Sequence, residues 1–380
     1  QGIVKLEKLS DRALKKRTDM ATDNDFCFYT ISNAPYFPGL VALINSLILA
    51  GHTQPIRVGD CGLTPAQRDV LRTCRQVELF PLDPGKIKNP GQYKAFAHIA
   101  NASGIAVIID SDMIVTGSLN PLVAQARRGG ICAFANPIDD RWYAQWEDIF
   151  ALPHPPRRQT YICSGFVAFS TDVWPNLLER WWRACEAIHS HPTYQEGSEW
   201  DSPTAQSDQD ALNAILMSEY EVDAISLAPV EKQVYRWDFR FLETRDRHTL
   251  DCRFQGQAPL ILHAALTSKP WEERGASNDT YFVFMRRLLL GPDVAIKVPP
   301  RMLASVIAPG IWPWVRRQSC FLKNMGIMEF CLSYLPPATC IRSRYVKDRL
   351  REIYLRVRGK YAHPPSATRL LPEIQASDQV

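Results

Sequence analysis

One pattern repeats through the first 110 residues: a short apolar run without alternation, then a longer segment with helical punctuation. The runs are DFCFYTI (25–31), PIRVGD (55–60), VELFPL (77–82) and IAVIID (105–110). Between them lie PGLVALINSLILAG (38–51), closed by Gly51; TPAQRDVLRTC (64–74), with Thr64 as N-cap and Pro65 at the first helical position; and PGQYKAFAHIAN (90–101). Strands that are apolar on both faces and alternate with helices predict an α/β chain. Its sheet should be open, mostly parallel and covered on both sides.

The pattern loosens further on. ICAFAN (131–136), YICSGFVAFS (161–170) and PLILHAAL (259–266) read as strands, and 171–189 and 207–220 as helices. Trp142, Trp146 and Phe150 are spaced as one helix face, either a core stripe, the commoner case, or a sugar-stacking wall. After Gly291, proline, tryptophan and arginine dominate. The predicted organisation is a charged leader over 1–23, a main domain over 24–295 and a basic helical extension over 296–380.

Residues 301–380 hold 13 Lys and Arg against 5 Asp and Glu, so this tail carries +8 and the first 300 residues −4 of the chain's net +4. With Trp312, Trp314 and the amphipathic stretch Arg342 to Lys360, the tail reads as a solvated helical surface or as an attachment to an anionic membrane. No apolar run is long enough to span a bilayer, and 1–23 is too charged for a signal peptide. Ten cysteines without a CxxC pair argue against zinc-ribbon and thioredoxin chemistry and for a reducing compartment. A cytoplasmic location with peripheral membrane contact is expected, with no nucleic-acid partner.

Asp110 and Asp112 stand at the mouth of an apolar strand, where charge is costly unless a cation accompanies it. Ligands of open parallel sheets bind beyond the carboxyl ends of strands. If the segment stays extended, residues 110 and 112 point to one side, and paired carboxylates suit Mg²⁺ or Mn²⁺. A solvated Asp-Ser-Asp turn fits equally. In SDQDALN (207–213), Ser207 and Asp210 have capping-box spacing, the stronger reading of that stretch alone; the other makes Asp208 and Gln209 a helix mouth that orients a sugar. In LILHAALTSKPW (260–271), His263 and Lys269 are either packing residues or a metal ligand and a phosphate contact.

Taken in order, these motifs resemble those of family 8 glycosyltransferases, metal-dependent retaining enzymes similar to glycogenin and bacterial lipopolysaccharide galactosyltransferases. The resemblance spans about 25–290. It implies a GT-A (Rossmann-like) open mixed sheet, mostly parallel and flanked by helices. It implies a UDP-sugar donor, UDP-galactose or UDP-glucose, and a saccharide or other hydroxyl acceptor. TISNAPYFPG (30–39) matches the family's nucleotide loop, in which Asn33 and Tyr36 would hold the uracil and Thr30 and Ser32 would flank it. DSD matches the family's DxD: Asp110 and Asp112 would bind Mn²⁺ or Mg²⁺ with His263, and Ser111 would lie against the donor. Lys94 matches a basic residue ahead of that motif, Ser164 and Gly165 match residues lining the sugar, and Asp208, Gln209 and Asp210 match the DQ helix. Lys269 in HAALTSKPW would meet the diphosphate as a catalytic charge, beside Asp208 and Gln209. The chain departs from the family at Cys163, usually Asn, and at Leu266, usually Gly.

A sugar-phosphate nucleotidyltransferase would need a glycine-rich loop after the first strand, where SNAPYFPG offers only Gly39, and no GxGxxG supports a dinucleotide oxidoreductase. The remaining alternative is a non-catalytic sugar-nucleotide-binding homologue.

Overall fold

The apolar runs assemble into one central sheet in the computed structural model, which describes residues 25–83, 90–137, 141–190, 202–265, 269–272, 279–299 and 302–303. In chain order the strands are β1 Phe26–Ser32, β2 Ile56–Asp60, β3 Val77–Pro81, β4 Ile105–Ile109, β5 Met113–Val115, β6 Ile131–Ala135, β7 Ile162–Ser170, β8 Ile225–Leu227, β9 Gln233–Tyr235, β10 Glu243–Asp246, β11 Asp251–Arg253 and β12 Ile261–His263. The helices are α1 Phe37–Leu49, α2 Pro65–Arg72, α3 Asn120–Arg127, α4 Trp146–Ile149, α5 Leu177–Ser190, α6 Asp208–Glu219 and α7 Thr280–Leu290.

The main sheet has seven strands in the order β3-β2-β1-β4-β7-β6-β8. Its β1–β2, β2–β3, β1–β4 and β6–β8 pairs are parallel, while β7 runs antiparallel to both β4 and β6. All nine residues of β7 are buried. Alternate residues of β4 enter different cores: Val107 and Ile109 pack with α1, α3 and α7, and Ala106 and Ile108 with α5 and α6. Both faces are therefore covered, as the unbroken apolar runs require.

A smaller three-stranded sheet, β5-β12-β9, begins where β4 ends. The chain leaves β4, turns through Asp110, Ser111 and Asp112, and enters β5 of this second sheet. The Met113 N–H donates to the Asp110 carbonyl at 3.2 Å, which closes the turn. Residues 110–112 are therefore a turn and not an extended segment, so strand alternation does not set the direction of the two carboxylates. Nor is the turn solvated, since Ser111 and Asp112 are buried.

Other expectations shift. The segment 90–101 forms a 3-10 helix over Pro90–Ala97, not an α-helix; apolar spacing at i and i+3 serves either geometry. The helix expected from 171 starts at Leu177, just beyond Pro175, because the residue preceding a proline is driven out of helical conformation. Trp146 and Phe150 lie in the core, and the Trp142 indole donates to the Pro156 carbonyl at 2.7 Å.

The packed body also runs past 295. Ile296, Val298 and Leu303 are buried in the first core, and the Asn45 amide bridges to the Leu288 and Ile296 carbonyls at 2.8 and 3.0 Å. The leader, Leu266 and the tail beyond Leu303, with Trp312, Trp314 and Arg342 to Lys360, lie outside the described residues. Among the described residues no helix is long and apolar enough to cross a membrane, and none of the cysteines is in a disulfide.

Candidate active site

Strand register builds the site. β12 pairs antiparallel with β5, His263 opposite Met113, and the Ala264 N–H donates to the Asp112 carbonyl at 3.0 Å. This brings the histidine to the Asp110–Asp112 turn. The Tyr281 hydroxyl, from α7, donates to the same carbonyl at 2.9 Å. On the other side, the Asp110 N–H donates to the Gly165 carbonyl of β7 at 2.9 Å.

One ligand atom from each of Asp110, Asp112 and His263 lies within 4.8 Å of the others. His263 Nε2 is 3.4 Å from Asp112 Oδ1 and 3.7 Å from Asp110 Oδ2. Gly165 leaves room for this. A Cβ there would stand 2.7 Å from Met113 Cε, 2.8 Å from His263 Cε1 and 3.0 Å from Asp110 Oδ2. Gly39 serves likewise at the start of α1, where a Cβ would meet the Trp271 ring at 2.4 Å and the Ser111 carbonyl at 2.6 Å. The PYFPG turn thus packs directly on the backbone of the acidic turn.

Two lysines flank the carboxylates. Lys94 Nζ is 2.9 Å from Asp110 Oδ1 and 3.0 Å from Asp208 Oδ2, and also donates to Ser164 Oγ at 3.1 Å. The Ser164 hydroxyl donates to Asp208 at 2.7 Å, and the Ser164 N–H to Gln209 Oε1 at 3.0 Å. Lys269 Nζ is 2.6 Å from Asp112 Oδ2, donates to the Ala264 carbonyl at 3.1 Å, and sits 5.4 Å from the centre of the Tyr36 ring. Tyr36 packs edge-on against Trp271, and its N–H donates to Asn33 Oδ1 at 3.3 Å. Thr30 and Ser32 lie on β1, beside β4, and Thr30 Oγ1 is buried with no partner among the described residues.

Electrostatics follow from this mixture. Burial would raise the Asp112 carboxyl, but Lys269 and His263 outweigh it and hold the group well below the carboxylate range. Burial would lower His263, yet Asp112 beside it pushes the imidazole up to about 10. Lys94 is likewise disfavoured by burial and held cationic by Asp110 and Asp208. Burial raises Asp208, which shares that single ammonium with Asp110.

Asp210 stands apart. Its carboxylate takes both Arg141 Nε (2.8 Å) and Nη2 (3.0 Å), the Tyr161 hydroxyl (2.7 Å) and the Gln206 N–H (2.7 Å), and it is fully buried. Its hydrogen bonds run to Arg141, Tyr161 and the backbone of Gln206 rather than to the Asp110–Asp112 turn. The expected Ser207 cap is also absent: Ser207 has φ of 50°, makes no side-chain cap, and its Oγ is buried without a partner among the described residues. A non-glycine residue reaches positive φ only when its surroundings impose it. Here the Trp181 indole holds the Asp208 carbonyl at 2.9 Å while Ser164 and Lys94 hold the Asp208 carboxylate.

No protein-family model and no curated protein matches the chain. Among solved structures, an active-site mutant of LgtC superposes with a TM-score of 0.50 at 15% identity, over 73% of this chain and 99% of that one. The galactosyltransferase LgtC in complex with donor and acceptor sugar analogues gives 0.46 at 16% identity, over 75% and 98%. The bifunctional glycosyltransferase WbbM gives 0.49 at 17% identity, over 72% of this chain and 51% of that one, so the chain spans about half of WbbM. The fold is the GT-A glycosyltransferase fold.

On this GT-A frame, two carboxylates and an imidazole suit a hard or borderline divalent ion that completes its shell with phosphate and water oxygens. Asp112 Oδ1 is buried and faces the His263 imidazole at 3.4 Å, so carboxylate and ring nitrogen are placed to share a cation. Sequence reasoning missed Arg141, Tyr281 and Gln233, whose amide meets the back of His263 at 3.0 Å. None lies in a motif. Gln233 and Tyr281 touch the site only because distant segments fold against it.

Proposed function

We propose that this protein is a metal-dependent, retaining glycosyltransferase that moves a hexose from a UDP-sugar, UDP-galactose or UDP-glucose, to a saccharide or other hydroxyl acceptor. The observation that carries this reading is the convergence of Asp110, Asp112 and His263 within 4.8 Å beyond the carboxyl end of β4, ringed by Lys94, Lys269, Asp208 and Gln209. These three residues would hold Mn²⁺ or Mg²⁺. When bound, the ion supplies Lewis acidity at the leaving diphosphate.

The chain's own residues do the rest. Lys94 ties Asp110 to Asp208, so the metal-facing and sugar-facing carboxylates keep a fixed spacing. Ser164 orients both members of the Asp208–Gln209 pair, which we assign to the hexose near its anomeric carbon. Gln209 is a weak nucleophile, and same-face attack assisted by the departing phosphate suits retention better than a covalent adduct. Lys269 adds a second positive charge where charge develops on the leaving group. Thr30, Ser32, Asn33, Tyr36, Ser111 and Gly165 are proposed contacts of the nucleotide and diphosphate. Asp210, saturated by Arg141 and Tyr161, is instead assigned to holding α6 in place.

A panel of nucleotide sugars, each assayed for hydrolysis with Mn²⁺ and with chelator, tests the proposal. Turnover of a UDP-hexose that chelator abolishes and Asp110→Ala removes is expected. Absence of metal-dependent turnover across the panel would overturn it. Cys163, buried in β7 against the site, is a weak hydrogen-bonding partner for a sugar hydroxyl, and this favours a second reading as a non-catalytic sugar-nucleotide binder. Binding of UDP that needs Asp110, with no turnover, would identify it. The basic tail is proposed to attach a cytoplasmic protein to anionic membrane; deleting 304–380 should release it from anionic liposomes, and unchanged binding would count against this.

A further inference from the structure

Two buried oxygens bracket the His263 ring, and the rear one has no hydrogen-bond partner among the described residues. Asp112 Oδ1 lies in front, 3.4 Å from Nε2; Gln233 Oε1 lies behind, on an amide whose Nε2 is 3.0 Å from His263 Nδ1. β9 and β12 are parallel neighbours with Gln233 opposite Ile261 and Tyr235 opposite His263, so β9 supplies the wall behind the imidazole. The Tyr235 ring packs tilted against it with centres 5.4 Å apart, and Tyr235 stacks in turn on Trp237 at 4.9 Å. The imidazole is therefore confined, and Gln233, only 4% exposed, has little freedom but to turn its amide over.

The two amide orientations have opposite consequences for the ring. With the amide nitrogen on Nδ1, Gln233 donates, the imidazole proton of the neutral ring is forced onto Nε2, and Gln233 Oε1 is stranded. A half-turn of the amide exchanges nitrogen and oxygen without changing its shape. Oε1 then accepts from Nδ1–H, which satisfies the stranded oxygen and leaves Nε2 as a lone pair beside the two carboxylates. Nε2 and the two carboxylates then face one another as acceptors, the donor set that a divalent cation takes.

We infer that Gln233 is a positioning residue for the metal site: its amide oxygen holds the proton on His263 Nδ1 and so presents Nε2 as a ligand between Asp110 and Asp112. This rests on the metal reading of the site proposed above. The inference concerns the tautomer and aim of the ring, and Gln233 itself touches neither metal nor donor.

Mn²⁺ titration followed by the electron paramagnetic resonance of the free ion tests it on the full chain. Gln233→Met, which has neither donor nor acceptor, should weaken Mn²⁺ binding by about 10–100-fold, the range found for ligand-orienting partners. Gln233→Glu accepts but cannot donate and should retain wild-type affinity or exceed it. Nitrogen NMR of the wild-type protein loaded with Mg²⁺ should place the His263 proton on Nδ1, a signature that does not depend on any variant folding. Equal Mn²⁺ affinity in wild type and Gln233→Met would overturn the inference and leave the metal reading intact; a proton on Nε2 in the Mg²⁺ form would overturn the inference and remove His263 from the ligand set. Failure of the wild-type protein to bind Mn²⁺ would overturn both.

Discussion

Asp112 and Lys269 stand 157 residues apart in the chain and share an ion pair of 2.6 Å that is almost wholly removed from water. It is the direct link between the acidic turn and the KPW segment. Removing one partner of a buried pair strands the other, at about 3–5 kcal/mol. Asp112→Ala should therefore destabilise the metal-free protein by about that amount in urea unfolding. The Asp112→Ala/Lys269→Met double variant should recover part of the loss. Equal loss in single and double variants would mean that the pair is not coupled.

Gly165→Ala is the smallest change that should damage the site. Its methyl group would lie under 3.0 Å from Met113 Cε and His263 Cε1. Overpacking of this kind costs about 1–3 kcal/mol, and here the displaced groups include a proposed ligand. Weaker Mn²⁺ affinity with the fold retained by circular dichroism is expected.

Arg141 and Asp210 should separate stability from binding. Arg141→Met leaves the Asp210 carboxylate buried without its guanidinium and should lower unfolding free energy by about 3–5 kcal/mol. Mn²⁺ affinity of the folded protein should stay at the wild-type value, since Asp210 is not among the proposed ligands. A large loss of affinity would place Asp210 in the site after all.

His263 makes the metal-free protein's stability depend on pH. Asp112 raises the imidazole from 6.5 to about 10, so the folded state binds its proton more tightly than the unfolded state. That contribution is complete below pH 6.5 and is lost as pH rises through about 10. Thermal unfolding in chelator should fall across this window, and His263→Gln should flatten the fall. The same proton competes with a metal for Nε2, so Mn²⁺ affinity should rise over the same window.

Much of the frame was readable from one dimension. The alternation of apolar runs and capped helices is a local signal, and β1 to β4 with α1 and α2 lie where it places them. The direction of β7 was not readable. A strand covered on both faces carries the same unbroken apolar run whether it lies parallel or antiparallel, and nothing in YICSGFVAFS distinguishes the two. Capping failed at Ser207 for a related reason. Ser-x-x-Asp spacing is a local preference, and the longer-range hold of Arg141, Tyr161 and Trp181 on residues 208–210 overrides it.

The sequence alone determined which side chains could do chemistry: a carboxylate pair after a buried strand, an Asp-Gln helix start, a histidine and a lysine near a last strand. Whether they meet was decided by tertiary structure. The register of β12 on β5 carries His263 to the acidic turn, and the antiparallel course of β7 carries Ser164 and Gly165 to its other side. Strand register and direction are set by packing between segments far apart in the chain, and local propensity holds no record of such contacts. The same holds for Gln233, an ordinary amide in the sequence until β9 lies beside β12 and its side chain comes to rest behind an imidazole.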